Sequence, residues 1–147
     1  MKTILVATLL FLSGSMAPVM AGEHGLTGAQ LTEWLQTYEE AWESLDANKA
    51  AAIFTENATY QVDPYSDPHL GREGISEYWS EVTADQKDVE FTSEVLSVTG
   101  NTGIAHWHAE FTAASTGAKI ILDGIFVLEF SADGLCSSLK EWWAIKI

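Results

Sequence analysis

The order of elements is set by residues 27–63, which read TGAQLTEWLQTYEEAWESLDANKAAAIFTENATYQVD. Thr27 and Gln30 match a capping box, and Leu26 with Leu31 occupies the positions of a hydrophobic staple. Apolar side chains then recur at helical spacing and form one broad face: Leu31, Trp34, Leu35, Tyr38, Trp42 and Leu45. The pattern predicts a first helix that begins at Thr27 and buries this face.

A second, shorter helix is predicted over residues 47–54, with Asp46 as its cap, and the segment 55–57 should end it. Residues 58–62 form a strand candidate, and two prolines in the segment 63–68 predict a loop after it. A third helix follows, with these apolar positions at helical spacing: Ile75, Tyr78, Trp79 and Val82.

Four strand-like segments fill the rest of the chain: 87–99, 103–113, 119–130 and 135–147. Short turns separate them, which predicts antiparallel hairpins. The order helix, helix, strand, helix and four-strand meander predicts an α+β fold whose long strands curl around the helices. A curled sheet closed by helices leaves an internal pocket.

The first residues have the layout of a secretory signal. Lys2 supplies a positive charge, residues 4–12 form an apolar run with Thr8 as its one polar residue, and mostly small side chains follow over residues 13–21. The apolar run is too short for a membrane-spanning helix. We therefore predict a signal peptide over residues 1–21, one domain over residues 22–147, and a secreted or periplasmic location without a membrane anchor.

The chain is strongly acidic, with a formal net charge of −14 at pH 7. This charge argues against nucleic acid or an anionic membrane as a partner, because both would repel it. Cys136 is the single cysteine, so an internal disulfide is excluded. Neither a Gly-rich phosphate loop nor a nucleophile elbow occurs, and no cofactor is predicted. Asn57 begins an N-glycosylation acceptor, which matters only in a eukaryotic source.

Asp63 is a candidate general base, since it ends the predicted strand just before Pro64 in the company of aromatic and apolar residues. A carboxylate in apolar surroundings has a raised proton affinity. The alternative is that Asp63 and Pro64 only start a turn. Tyr38 also has two interpretations: it packs on the apolar helix face, or it presents its hydroxyl group to a ligand.

His106 and His108 alternate along one predicted strand and therefore project to the same face, as some metal sites require. Local spacing specifies no third ligand, so no metal site is predicted. The opposite face, which carries Trp107, looks more like the one turned to the core, and both histidines would then meet a dimer partner on the outer face. If the strand is turned the other way, His106 or His108 enters the pocket as a general acid or base.

Aromatic residues supply the expected pocket lining: Trp42, Tyr60, Tyr65, Trp79, Trp107, Phe126 and Trp142. Trp142 and Trp143 are adjacent on a strand, so one lines the pocket while the other covers the outer face. Ile121, Ile125 and Val127 would form an exposed apolar patch on that outer face unless a second subunit covers it. This pattern predicts a homodimer through the outer face.

A set of residues in the first half of the domain carries a family resemblance: Tyr38, Asp46, Phe54, Asn57-Ala58-Thr59, Asp63-Pro64, Gly71 and Ile75. With them the chain resembles the nuclear transport factor 2-like superfamily, and the SnoaL-like and ketosteroid isomerase branches come closest. The resemblance implies a cone-shaped α+β fold. In that fold three N-terminal helices pack on a strongly curved, mostly antiparallel sheet around a pocket for a small apolar molecule.

In ketosteroid isomerases a tyrosine of the first helix polarises the substrate carbonyl, and an aspartate before proline moves a proton. The resemblance implies these roles for Tyr38 and Asp63. Two departures stand out. The chain has one residue more between Thr59 and Asp63 than the isomerase pattern, and Phe126 stands at or near the place of the second isomerase aspartate.

The sequence thus predicts an exported SnoaL-like protein whose pocket binds a small, largely apolar molecule. The catalytic hypothesis is cofactor-free acid/base chemistry of the isomerase, cyclase or dehydratase type. The alternative is a binding or accessory module with the same pocket and no turnover.

Overall fold

The structure is a computed structural model that describes residues 25–146. The signal peptide predicted over residues 1–21 lies outside the described residues and stays a prediction. No helix in the described part of the chain is long and apolar enough to cross a membrane. The elements follow in the order α1 (Gly28–Glu43), α2 (Ala47–Ala52), β1 (Phe54–Gln61), β2 (His69–Leu70), α3 (Gly71–Thr83), β3 (Gln86–Thr99), β4 (Thr102–Ala113), β5 (Lys119–Phe130) and β6 (Cys136–Lys146).

The first helix begins where its capping signals predict. The Thr27 side chain accepts a hydrogen bond from the Gln30 backbone nitrogen, and the Gln30 side chain accepts one from the Thr27 nitrogen. These bonds satisfy donors that the first helical turn leaves unpaired. Asp46 caps α2 in the same way, by accepting a hydrogen bond from the Lys49 nitrogen. The buried face of α1 consists of Leu31, Trp34, Leu35, Tyr38, Ala41 and Trp42.

The strands form one six-stranded sheet in the order β2-β1-β6-β5-β4-β3. Strands β3 to β6 form the predicted antiparallel meander. β1 joins its edge parallel to β6, and the short β2 pairs antiparallel with β1. Irregular register in three of the strand pairs bends the sheet around the helices. The predicted α+β fold, with helices packed on a curved and mostly antiparallel sheet, is confirmed.

Two predicted boundaries in the first half of the chain are wrong. α2 ends at Ala52, and Phe54 begins β1 rather than closing the helix. Residues 55–57, which we expected to separate the two elements, lie within this strand. The reason is long-range pairing: Phe54 is registered with Cys136 of β6, whose nitrogen donates to the Ile53 carbonyl oxygen at 3.0 Å. A parallel neighbour from the far end of the chain leaves no signal in the local pattern.

The core lies between the helices and the inner face of the sheet. Trp107 of β4 and Phe126 of β5 point inward and stack with their ring centroids 5.2 Å apart. Tyr38 reaches them from α1, with its ring 5.3 Å from Phe126 and 5.3 Å from Trp79 of α3. All four side chains are almost completely buried. This aromatic core surrounds a small cavity.

Candidate active site

A cavity of about 50 Å³ lies between α1, α3 and the inner face of the sheet. Its walls consist of Tyr38, Trp42, Tyr60, Tyr78, Trp79, Val82, Gln86, Trp107, Leu122, Glu141 and Trp143. Seven of these residues are aromatic, and none is lysine or arginine. The wall therefore holds the predicted lining residues Trp42, Tyr60, Trp79 and Trp107. The ligand expected for this cavity stays a prediction.

A larger space, about 920 Å³ in volume, lies on the surface along α2 and α3. It is an open groove whose walls are mainly short polar and acidic side chains, among them Ser76, Glu77, Ser80 and Glu81. We place the candidate site in the smaller cavity, because only there do polar groups meet away from water, where their interactions with a ligand are strongest.

Two tyrosine hydroxyl groups meet at the wall of the cavity. Tyr38 Oη and Tyr60 Oη lie 2.8 Å apart and share a hydrogen bond. Burial raises the pKa of both phenols well above the ordinary value, and the nearby Glu141 carboxyl raises it further. One hydroxyl donates to the other, so one O–H hydrogen of the pair remains free to donate to a ligand. Tyr38 therefore lies where the sequence placed it, and Tyr60 is its partner.

Glu141 is the acidic group of the cavity, and the local sequence pattern did not predict it. Its side chain projects from β6 with the residue only 6% exposed. Burial raises the pKa of this carboxyl from 4.5 to about 8, because the charged form is poorly solvated there. Within residues 25–146 it forms no ion pair. A carboxyl group with this pKa exchanges a proton near neutral pH.

A signal for Glu141 was present in the meander. Strand β6 pairs with β5 so that Glu141 lies opposite Phe126, which the sequence analysis had already placed toward the pocket. Residues opposite each other in an antiparallel pair project to the same face. Register, rather than local composition, identifies the buried acid.

The indole nitrogens of the cavity wall differ in their hydrogen bonding. Trp42 Nε1 donates to Gln86 Oε1 at 2.8 Å. The buried Nε1 atoms of Trp79 and Trp107 have no hydrogen-bond partner among the described residues. Buried N–H groups normally have partners. These two indole nitrogens therefore lie within the packed aromatic wall and are not open to the cavity.

Trp143 stands at the mouth of the cavity. It is 45% exposed although it lines the same space as the fully buried Trp107, and its Nε1 donates to the Val62 carbonyl oxygen at 3.1 Å. Trp142, predicted to line the pocket, projects to the outer face instead. Its partner Ile125 and its neighbour Trp143 fix this orientation, because adjacent residues of a strand point in opposite directions.

Asp63 does not reach the cavity, which corrects the prediction that it is the base. Its Oδ1 accepts hydrogen bonds from the Tyr65 nitrogen at 2.7 Å and the Ser66 nitrogen at 3.0 Å, and its Oδ2 accepts one from the Ser66 hydroxyl group. These bonds lower the pKa of the carboxyl, with the Ser66 hydroxyl as the main cause. Asp63 starts a turn, which was the stated alternative.

The physical reason for this placement is the extra residue before Asp63. Ala58 and Tyr60 of β1 are buried, so the inward positions of this segment are even-numbered and continue to Val62, which packs on the core. An odd-numbered residue faces away. Tyr65, predicted as a lining residue, lies in the same turn and is 97% exposed.

His106 and His108 lie on the outer face of β4, so neither enters the cavity as an acid or base. Asp123 of β5 joins them: its carboxylate lies 3.1 Å from His106 Nε2 and 3.2 Å from His108 Nδ1. The hydrogen bond to Asp123 is the main cause of a raised pKa at His108. Within residues 25–146 no group of three His, Cys, Asp or Glu residues is arranged to hold a metal ion.

Phe126 is fully buried beneath Tyr38 and Trp107 and supports the wall of the cavity without lining it. The site that results is an aromatic cavity with a hydrogen-bonded pair of tyrosine hydroxyl groups and a buried carboxyl group. This curved α+β fold, with helices packed on a six-stranded and mostly antiparallel sheet, is the nuclear transport factor 2-like fold.

Comparison with known proteins identifies the family within this fold. The model of the SnoaL-like domain family matches residues 35–139. The chain therefore belongs to the SnoaL-like family, in the branch of the superfamily that includes the ketosteroid isomerases.

Similar proteins include enzymes and a protein of undefined role. The steroid Δ-isomerase of Nocardioides simplex is 26% identical over 94 residues, which cover 64% of this chain and 73% of the relative. A hypothetical protein of Catenulispora acidiphila with a ketosteroid isomerase-like fold, solved with trimethylamine, has a TM-score of 0.66 at 16% identity, covering 75% of this chain and 84% of its own. The epoxide hydrolase/cyclase-like enzyme SalBIII, described for pyran ring formation in the polyether salinomycin, has a TM-score of 0.68 at 19% identity, covering 81% and 96%.

Proposed function

We propose that this protein is a cofactor-independent enzyme of the isomerase type that moves a proton within a small, largely apolar carbonyl compound. The observation that carries the proposal is the buried Glu141 carboxyl, with a pKa of about 8, in the same cavity as the hydrogen-bonded pair Tyr38 and Tyr60. A general base works best when its pKa lies near the working pH. The isomerase and cyclase names among the relatives agree with this chemistry.

The proposed reaction uses the two parts of the site in turn. The free hydroxyl hydrogen of the tyrosine pair donates to the substrate carbonyl oxygen, and this bond strengthens as negative charge develops there. In a substrate with a C=C bond beside the α-carbon, ionised Glu141 takes the α-proton and leaves a dienolate. The carboxyl then returns the proton to another carbon of the conjugated system. The double bond moves, nothing is oxidised or reduced, and the base is regenerated.

The pH dependence follows from the base. Glu141 must be ionised to take a proton, and a pKa of about 8 leaves it mostly protonated at pH 7. Activity should therefore rise as the pH increases from 6 to about 8 and level off above that. The same chemistry can be measured without knowledge of the natural substrate. The assay follows by NMR the exchange of the α-hydrogens of butanone for deuterium in D2O.

The test compares three substitutions in this exchange assay. Glu141→Gln keeps the shape of the side chain but cannot accept the proton, and we expect the catalysed rate to fall by about 10²-fold or more. Tyr38→Phe should lower the rate less, because Tyr60 keeps a hydroxyl group at the site. Asp63→Asn is the matched control and should leave the rate unchanged. An unaltered rate in Glu141→Gln, or a loss in Asp63→Asn alone, would rule out this assignment.

A second candidate function is binding of a small alkylammonium ion without turnover. One observation favours it: the Glu141 carboxyl has no cationic partner in the described chain and shares its cavity with seven aromatic rings. Aromatic rings with an acid attract methylated ammonium groups. Trimethylammonium would then bind to the wild type with release of a proton near pH 7, measurable by calorimetry in buffers of different ionisation enthalpy. Butanone exchange without such binding favours the enzyme.

A further inference from the structure

The cavity between α1, α3 and the sheet has the dimensions of a water site. Its volume of about 50 Å³ is more than one ordered water molecule needs and corresponds to roughly one or two waters at the density of the liquid. Enclosed water is held where about two to four polar groups bind it, whereas apolar cavities stay dry. The polar groups of the wall therefore determine what the cavity holds.

Three polar groups of the wall have no hydrogen-bond partner among the described residues: the Glu141 carboxyl group, the Gln86 amide nitrogen Nε2 and the Tyr78 hydroxyl group. Water can reach all three. In residues 25–146 the only partnerless buried side-chain nitrogen or oxygen atoms that are sealed from water are the indole nitrogens of Trp79 and Trp107. Because Glu141 and Gln86 are only 6% and 8% exposed, their open atoms face the cavity rather than bulk solvent.

Gln86 is held in one orientation at the wall. Its Oε1 accepts a hydrogen bond from Trp42 Nε1 at 2.8 Å. An indole N–H group can only donate, so this bond fixes which end of the amide is the oxygen and leaves the NH2 group for another partner. The backbone is fixed as well, since Gln86 pairs with Ala113 of β4, and Asp85 before it accepts hydrogen bonds from the Ser115 nitrogen and hydroxyl group at 2.7 and 2.6 Å. Gln86 therefore presents a preset donor.

The solvent side of the cavity consists of partly exposed side chains. Tyr78 and Leu122 are half-buried, and Trp143 is 45% exposed. A molecule larger than the cavity can contact these residues at the mouth, although a space of about 50 Å³ does not admit its whole body beside Glu141. A general base can act on such a molecule through one intervening water.

We infer that the cavity is a water site, in which one or two waters bound by Gln86 and Glu141 carry the proton between the Glu141 carboxylate and a substrate whose body stays at the mouth. Gln86 is then a positioning residue for the base. The proton relay rests on the proposed function for the carbonyl chemistry, whereas the water site does not. As the water accepts the α-proton, it donates one of its own hydrogens to the carboxylate, so the water is re-formed and the substrate is left as its enolate.

High-resolution crystal structures test the water site directly. The wild type should show one or two ordered waters that join Gln86 Nε2 to a Glu141 carboxyl oxygen. Gln86→Met keeps the length of the side chain but has no donor, so it should lose these waters, and Glu141→Gln should retain them. Gln36→Met makes the same change at an exposed position of α1 and is the matched control. A dry cavity in the wild type, or the same waters in Gln86→Met, would overturn the inference.

The butanone exchange assay tests the relay. Gln86→Met keeps the base but should lower the exchange rate by about ten-fold, the scale of one lost hydrogen bond, whereas Gln36→Met should match the wild type. An unchanged rate after loss of the waters would overturn the relay. Ordered waters in the wild type without any butanone exchange would overturn the proposed function and leave the water site standing. Exchange that requires Glu141 in a dry cavity would overturn the inference alone.

Discussion

At the scale of single residues, burial of the Glu141 carboxyl group costs free energy, because its charged form is poorly solvated there. Acidic side chains are seldom buried without a partner, and this one is enclosed by aromatic rings. A folded-state pKa of about 8 means that the folded protein holds a proton that the unfolded chain would release above pH 4.5. Burial of this kind is typical of sites where chemistry, rather than stability, determines the residue.

The cost predicts a pH-dependent stability. Because the folded pKa is raised, the contribution of Glu141 is most favourable below pH 4.5 and is lost as the pH rises through about 8. Each pH unit in this window corresponds to about 1.4 kcal/mol. Relative to the wild type, Glu141→Gln should thus gain about 2–3 kcal/mol in unfolding free energy between pH 5 and pH 7, as measured by urea denaturation.

The control for this measurement is Glu33→Gln, which changes an exposed acid on α1. Its stability should follow the wild-type curve at each pH. Parallel curves for the wild type and Glu141→Gln would mean that the carboxyl group has an ordinary pKa in the folded protein.

At the scale of elements, the contact between β4 and β5 determines the shape of the cavity. Gly124 pairs with Trp107 across the two strands, and the missing side chain makes room for the indole. A Cβ atom at this position would also lie 2.7 Å from the Trp142 carbonyl oxygen of β6. The absence of a side chain at Gly124 thus lets the Trp107 ring of β4 pack against β5, next to β6.

Gly124→Ala should therefore destabilise the protein by about 1–3 kcal/mol, the usual range for overpacking a filled core. Gly28→Ala is the matched control, because a Cβ atom there meets nothing within 4 Å and alanine favours the helix. In urea denaturation at pH 5, Gly124→Ala should have a lower midpoint than the wild type, and Gly28→Ala should have an unchanged or higher one. Comparable midpoints for both variants would contradict the close packing of Trp107 against Gly124.

The helices and the meander could be predicted from the sequence, because their signals are local. The capping residues Thr27 and Asp46 and the alternation in β4 determine those elements within a few neighbours. β1 was misjudged because its partner β6 comes from the end of the chain. The site was mispredicted for two reasons. One added residue turned Asp63 outward, which is a local effect, whereas the inward direction of Glu141 follows from its long-range pairing with Phe126.

At the scale of the whole molecule, the outer face of the sheet stays without an assigned partner. His106, Ile125 and Trp142 lie side by side across β4, β5 and β6. Trp142 is 48% exposed, and the row places an apolar centre next to the hydrogen-bonded histidines. The homodimer through this face stays a prediction.

Sedimentation velocity at micromolar concentration tests the dimer. The wild type should sediment as a dimer, and Ile125→Lys should sediment as a monomer because a charge at the centre of the interface would be desolvated. Circular dichroism should show an unchanged fold in the variant. A monomeric wild type over this range would contradict the prediction.

Export is a second prediction for the whole molecule. The described fold begins at Gly25, so cleavage after Ala21 would remove none of its residues. Expression of the full chain in a secreting host should yield a product whose intact mass is that of a chain beginning at Gly22. A product that retains Met1 would exclude cleavage of this segment.

The crowding of tryptophans around the cavity has a practical consequence. Trp42, Trp79, Trp107 and Trp143 all border the space that holds Glu141. Indole emission responds to nearby charge and to exclusion of water, so loss of the Glu141 proton or entry of a molecule should alter the ultraviolet fluorescence of the unlabelled protein. The protein carries its own optical reporter, and libraries of unmodified small molecules can be screened against it directly.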